Sequence, residues 1–305
     1  MTCPLRAREL LLLGFVLLPC AAALAEVRSF QKSLPADSGG VLLVRSDVGN
    51  IYVTSAAVGE VSVVAQIEGT ARDVAGFMID AIVVNGRIEV TGKAAKPGWL
   101  RWGLQPLRVT YTVSVPENFH LDLRTAGGDI AVGNVRGELV VRTSGGDIEL
   151  NDVGGPIVAT TSGGDIEIEH ATGKLSARTS GGDILVAGIR GDAEVRTSGG
   201  DIRIANIAGR AVAKTSGGDI ALEVTNEQQG AVVETSGGNI NILQAAAVRT
   251  TIDAATSGGS VRINLPTVAQ ERIKGGKFRG PINGGGPEIH ARTFGGSIWI
   301  RALKE

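Results

Sequence analysis

Apolar and polar residues follow a fixed frame through most of the chain. Numbering from a threonine, apolar residues fall at positions 6, 8, 11, 15 and 17. From Thr143 these are Ile148, Leu150, Val153, Ile157 and Ala159; from Thr197 they are Ile202, Ile204, Ile207, Ala211 and Ala213. The pairs 6/8 and 15/17 alternate by two, which is the period of a strand with one face buried. Gly-Gly at positions 3 and 4 and a glycine at position 13 (Gly137, Gly155, Gly173, Gly191, Gly209) punctuate the strands as turns. Each unit therefore reads as two short strands and two turns, with the apolar residue at position 11 tucked inward.

The frame is carried by a repeated hexapeptide. Thr-Ser-Gly-Gly-Asp-Ile begins at Thr143, Thr161, Thr179, Thr197 and Thr215, always 18 residues apart, and an alanine variant begins at Thr125. Looser copies begin at Thr235, Thr256, Ile273 and Thr293, after steps of 20, 21, 17 and 20 residues. A unit this small cannot bury its apolar face alone, so stacked copies must share one core. The expected fold is all-β: a parallel β-solenoid, or β-helix, with about 18 residues per coil, its coils following one another in chain order. At about 4.8 Å per coil, ten coils would span roughly 48 Å.

Residues 26–124 are less regular. Arg45 to Val53 is a worn copy of the repeat, Asn85-Gly86 marks a hairpin turn, and Leu107 to Val115 alternates before Pro116. This region is expected to form wider coils and a hairpin that cap the regular solenoid of residues 125–305. Trp299 and the charged tail after it read as the opposite cap.

Residues 1–25 have the form of an export signal. Arg6 and Arg8 precede an apolar run from Leu10 to Leu18, and Ala23-Leu24-Ala25 fits cleavage after Ala25. Pro19 before Cys20 is a poor lipid-attachment context, so plain cleavage is preferred. Cys3 and Cys20 both lie in this segment, leaving a mature chain without disulfides or thiolate chemistry. No second long apolar run predicts a transmembrane segment. The expected location is the periplasm, the cell surface or the medium.

Composition adjusts this picture in two ways. The chain has 44 glycines in 305 residues but only 6 Phe, 3 Trp and 2 Tyr, as suits narrow coils filled by Ile, Val, Leu and Ala. Its net charge is −1, without the basic excess of a nucleic-acid binder.

Candidate chemistry lies at the repeated polar positions. Position 5 is aspartate in six successive coils: Asp129, Asp147, Asp165, Asp183, Asp201 and Asp219. Stacked in register, neighbouring carboxylates would repel by roughly 0.9 kcal/mol in bulk water. Turn N–H groups, a cross-corner ion pair or a bound Ca²⁺ could each offset this. Position 18 is basic at Arg124, Arg142, Arg178, Arg196 and Lys214, with Thr160 breaking the row. The inward threonines should stack as a ladder. No cofactor is required; Ca²⁺ is the lesser alternative, because the calcium-binding β-roll nonapeptide is not matched.

One segment departs from the frame. Lys93 to Pro106 holds Trp99 and Trp102 with Lys96 and Arg101; it reads as a lid or as a docking loop for a glycan, partner or lipid headgroup. His120, His170 and His290 lack metal-ligand spacing, and no catalytic triad stands out.

The hexapeptide repeats, the lead-in from Tyr111 to Ile130 (YTVSVPENFHLDLRTAGGDI) and the export signal resemble a bacterial family. It is the putative-adhesin family of β-strand-repeat proteins of unknown function, related to auto-transporter-type adhesin head domains. The resemblance spans roughly residues 40 to 300. It implies an exported, non-enzymatic β-solenoid and supplies no catalytic residues. The expectation is thus an adhesin or cell-envelope scaffold whose partner is an envelope or extracellular polymer or protein. A polysaccharide-active β-helix enzyme and a self-associating structural envelope protein are the alternatives; the repeat leaves the oligomeric state open.

Overall fold

A computed structural model of the chain describes residues 26–56, 59–95, 107–225, 228–265 and 275–303. The proposed export signal, and Trp99 and Trp102 with their basic neighbours, lie outside these residues.

The described residues form two 13-stranded sheets and one 3-stranded sheet. Positions 6 to 9 build the first sheet, as in Ile148–Asn151, and positions 15 to 18 the second, as in Ile157–Thr160. Regular coils pair in parallel and in register: Leu139 lies beside Ile157, Leu175 beside Ala193, and Ala193 beside Ala211. Position 11 is buried as expected, and it also starts a third, two-residue strand, Val153–Gly154, Ala171–Thr172 and Ile189–Arg190.

The core is one continuous column. Ile148, Leu150, Val153, Ile157 and Ala159 are all at most 1% exposed, and their counterparts in the other regular 18-residue coils are at most 5% exposed. Fully burying one such aliphatic side chain contributes about 1.5–3 kcal/mol. Position 17 alternates between small residues, Ala159, Ala177 and Ala213, and valine at Val141 and Val195, all fully buried.

The worn copy at Arg45 to Val53 is a true coil, with strands Val41–Ser46 and Asn50–Ser55 in register with His120–Thr125 and Ile130–Gly133. The expected hairpin joins Met78–Val84 to Arg87–Lys93, with Asn85 and Gly86 both at positive φ. Antiparallel strands Glu26–Pro35 and Glu60–Gly69 complete this end. A short helix not foreseen from the sequence, Ala71–Gly76, starts at Thr70, whose side chain accepts from the amide of Asp73. The buried Tyr111 hydroxyl meets Ser46 Oγ at 2.8 Å. Burial pushes the Tyr111 pKa up to about 12, although the Ser46 hydrogen bond opposes the shift.

The coils do not follow one another in chain order at either end. The first coil lies between Arg87–Lys93 with Arg108–Val115 on one side and His120–Thr125 with Ile130–Gly133 on the other. Likewise the last coil, Glu288–Thr293 with Ile298–Ala302, lies between Ala231–Thr235 with Ile240–Gln244 and Thr250–Thr256 with Val261–Asn264. Each end therefore makes an excursion outward and returns to fill the gap left behind.

Two expectations are corrected by this arrangement. Trp299 is not in a terminal cap, since its residue pairs with Asn241 on one side and Arg262 on the other. The copy beginning at Ile273 is not a coil. Gly275 and Gly276 sit at positive φ and reverse the chain, and Lys277–Ile282 runs antiparallel to Thr250–Thr256 as the closing strand of its sheet.

Candidate functional site

The repeated polar residues gather on one corner of the solenoid, the Thr-Ser-Gly-Gly turn. The position-1 threonines are buried, and each hydroxyl donates to the position-4 carbonyl of the preceding coil rather than to the next threonine. Thr161 Oγ1 reaches Gly146 O at 2.9 Å and Thr179 Oγ1 reaches Gly164 O at 2.9 Å. The same oxygen accepts the position-4 amide of its own turn. Position 4 must be glycine because the coils touch there: a Cβ on Gly146 would collide with the Gly128 carbonyl.

The aspartate column exists, and backbone amides compensate it. Oδ1 of each aspartate accepts the amide of the next position-5 residue along the stack. Asp147 N to Asp129 Oδ1 is 3.0 Å, Asp165 N to Asp147 Oδ1 is 2.8 Å, and the bonds onto Asp165, Asp183 and Asp201 are each 2.7 Å. Asn50 opens the ladder below Asp129, and Asn239 and Ser297 continue it above Asp219. Charge-assisted bonds of this kind stabilise more than neutral ones, which offsets the repulsion along the column.

The basic column runs along the other flank of the turn. Residues 45, 124, 142, 160, 178, 196 and 214 are in register on neighbouring strands. Among the described residues no cross-corner pair forms with the aspartates of position 5. Arg178 and Arg196 instead share Glu194, at 2.7 and 3.0 Å, and Lys214 meets Glu234. Glu194 is held below the usual carboxylate range first by Arg196 and then by Arg178. Arg142 makes no ion pair among the described residues.

Between these columns lies a third, made by position 2. Ser198, Ser216, Ser236 and Ser257 are exposed, and their hydroxyls have no hydrogen-bond partner among the described residues. Here the stack opens into a groove of about 690 Å³, bordered by Arg196, Lys214, Lys277 and Arg292 against one carboxylate, Glu234. Phe294 also lines it. Its backbone bonds to Gly258, while Gly295 bonds to Ser236, which sets the ring between Ser236 and Ser257. It is 73% exposed. Sequence reading missed Phe294. The signal was present as the one aromatic at position 2, Thr-Phe-Gly-Gly, but its place in the column depends on the inserted coil.

A second cluster ties that inserted coil to its outer neighbour. Asp253, Glu288 and His290 carry ligand-type atoms within 4.8 Å of one another. The two ring nitrogens of His290 face different carboxylates, Asp253 at 3.6 Å and Glu288 at 3.3 Å. Arg292 lies 2.7 Å from Asp253, and Arg279 lies 3.9 Å from Glu288. Burial is the largest single influence on the Asp253 carboxylate and works against it, but the Arg292 hydrogen bond together with the charges of Arg292, Arg279 and His290 outweighs it and holds the group below its ordinary range. This cation-compensated network reads as an inter-coil clamp. His120 accepts the Glu138 amide at 3.0 Å, and His170 is exposed at a turn.

A profile of the Toastrack DUF4097 family matches residues 66–300. Among curated proteins no match is found. The chain is similar to three solved structures. A putative adhesin from Bacteroides fragilis is 15% identical, with 90% of this chain and 97% of that chain covered and a TM-score of 0.44. A putative lipid binding protein from Parabacteroides distasonis is 13% identical over 90% of this chain and 97% of that chain, with a TM-score of 0.40. A putative cell adhesion protein from Clostridium sporogenes is 12% identical over 91% of this chain and 100% of that chain, with a TM-score of 0.27.

Proposed function

The chain belongs to the Toastrack DUF4097 family, and from that premise we propose that it is an exported, non-enzymatic binding scaffold of the cell envelope. One observation carries the reading: the Thr-Ser-Gly-Gly corner presents the same hydroxyl and charged groups coil after coil, at about 4.8 Å spacing, on a rigid stack. A linear partner with a short chemical repeat meets many weak contacts at once on such a surface, and linked contacts raise avidity without any strong single site. The apolar run of residues 10–18 and the small residues before Glu26 support export. No helix among the described residues is long and apolar enough to cross a membrane.

The test has two parts. N-terminal sequencing of the protein recovered from cell fractions should find Glu26 first, outside the cytoplasm. The mature chain should then sediment with purified envelope polymers and release no oligosaccharide from a polyuronate panel. Equal adhesion of cells with and without the gene, together with no binding to any envelope fraction, would sink the reading.

A further inference from the structure

Phe294 is placed against the ordinary rules of burial. Phe77, Phe119 and Phe278 are at most 2% exposed, whereas Phe294 is 73% exposed at a position where the neighbouring coils carry serine. An aromatic left in water forgoes its burial energy, and no packing need explains it. Its surroundings supply the complement. Free serine hydroxyls continue the column on both sides. Lys277, which has no ion-pair partner among the described residues, and Arg292 border the same groove. Arg196 shares its one carboxylate with Arg178, so the groove carries a cationic excess.

We infer that this groove binds an acidic polysaccharide, with Phe294 stacking on the apolar face of one sugar ring. The serine hydroxyls would bond ring hydroxyls, and Lys277 and its cationic neighbours would meet carboxylates along the chain. The spacing of coils is close to the rise of one sugar in an extended chain, so successive units can meet successive coils. The inference rests on the scaffold reading above and names its ligand class.

The experiment measures binding of the mature chain to immobilised polygalacturonate, dextran and purified peptidoglycan. Phe294→Ser restores the residue found in neighbouring coils, so thermal unfolding should match the parent. Polygalacturonate should bind well above dextran and weaken as salt rises. Phe294→Ser should weaken it about tenfold, equivalent to about 1.4 kcal/mol, Phe294→Tyr should retain it, and Lys277→Gln should reduce its salt dependence. Equal affinity for dextran overturns the acidic class, and unchanged binding by Phe294→Ser overturns the site. Binding to peptidoglycan without polygalacturonate overturns this inference and leaves the scaffold reading standing.

Discussion

The amide of Asp183 donates to Oδ1 of Asp165 at 2.7 Å, across the boundary between two coils. The side chain of one repeat thus caps the backbone of the next, and the carboxylate serves as an acceptor. Asparagine offers the same acceptor, and Asn239 already fills that role toward Ser297. Asp165→Asn should therefore shift stability by less than about 0.5 kcal/mol. Asp165→Ala, which strands the Asp183 amide, should cost about 1 kcal/mol. Urea unfolding of the two variants checks this; an equal loss in both would count against the ladder.

The two glycines of each turn should respond differently to alanine. A Cβ at Gly145 meets nothing within 4 Å, whereas one at Gly146 meets the Gly128 carbonyl head-on. Gly145→Ala should be nearly silent in thermal unfolding. Gly146→Ala should force the coils apart and cost several times more, in the range of overpacking, about 1–3 kcal/mol.

Ile184 is 1% exposed and lies in register between Ile166 and Ile202. Ile184→Asp should abolish folding of the central coils, because an unpaired charge has no partner in that column. Ile184→Val should cost only about 0.5–1.5 kcal/mol. Circular dichroism and limited proteolysis distinguish a lost core from a merely trimmed one.

Tyr111 links stability to alkaline pH. Its pKa in the fold is about 12, against about 10 for a free tyrosine. The neutral form is favoured by folding, so this contribution is complete below about pH 10 and is lost as pH rises toward 12. Its full size is on the order of 3 kcal/mol. Tyr111→Phe should flatten the fall in stability between those pH values while losing the Ser46 contact. A parent protein whose stability does not fall over that interval would contradict the shift.

The regular coils were legible because one local geometry recurs with one set of residues. Ile at position 6, the buried residue at position 11 and the Gly-Gly turn each report local chain direction, and all three hold. Three things were not legible. The reach of Asp165 to the amide of Asp183 joins residues 18 apart, and a turn pattern equally fits a carboxylate bonding within its own loop. The reason for glycine at Gly146 is contact with a neighbouring coil rather than an unusual φ. The insertion of Glu288–Thr293 was hidden because coils are chemically interchangeable: Ile298 pairs as readily with Ile240 as with Val261. That interchangeability also concealed Phe294, which in chain order would sit at the end of its column.

The inserted last coil has a mechanical consequence. If the final coil in sequence were also the final coil in space, tension on the carboxyl terminus would peel one ladder of hydrogen bonds at a time. Here Ile298–Ala302 is bonded on both sides, to Ile240–Gln244 and to Val261–Asn264. A pull on that end loads both ladders together and cannot advance without opening the stack behind its own cap. The other end differs: Val41–Ser46 is flanked on both sides, but the strand that leads into it, Glu26–Pro35, closes its sheet and pairs only with Glu60–Gly69. Under load such a stack is locked at the inserted last coil and yields first at the opposite end, through the singly bonded Glu26–Pro35.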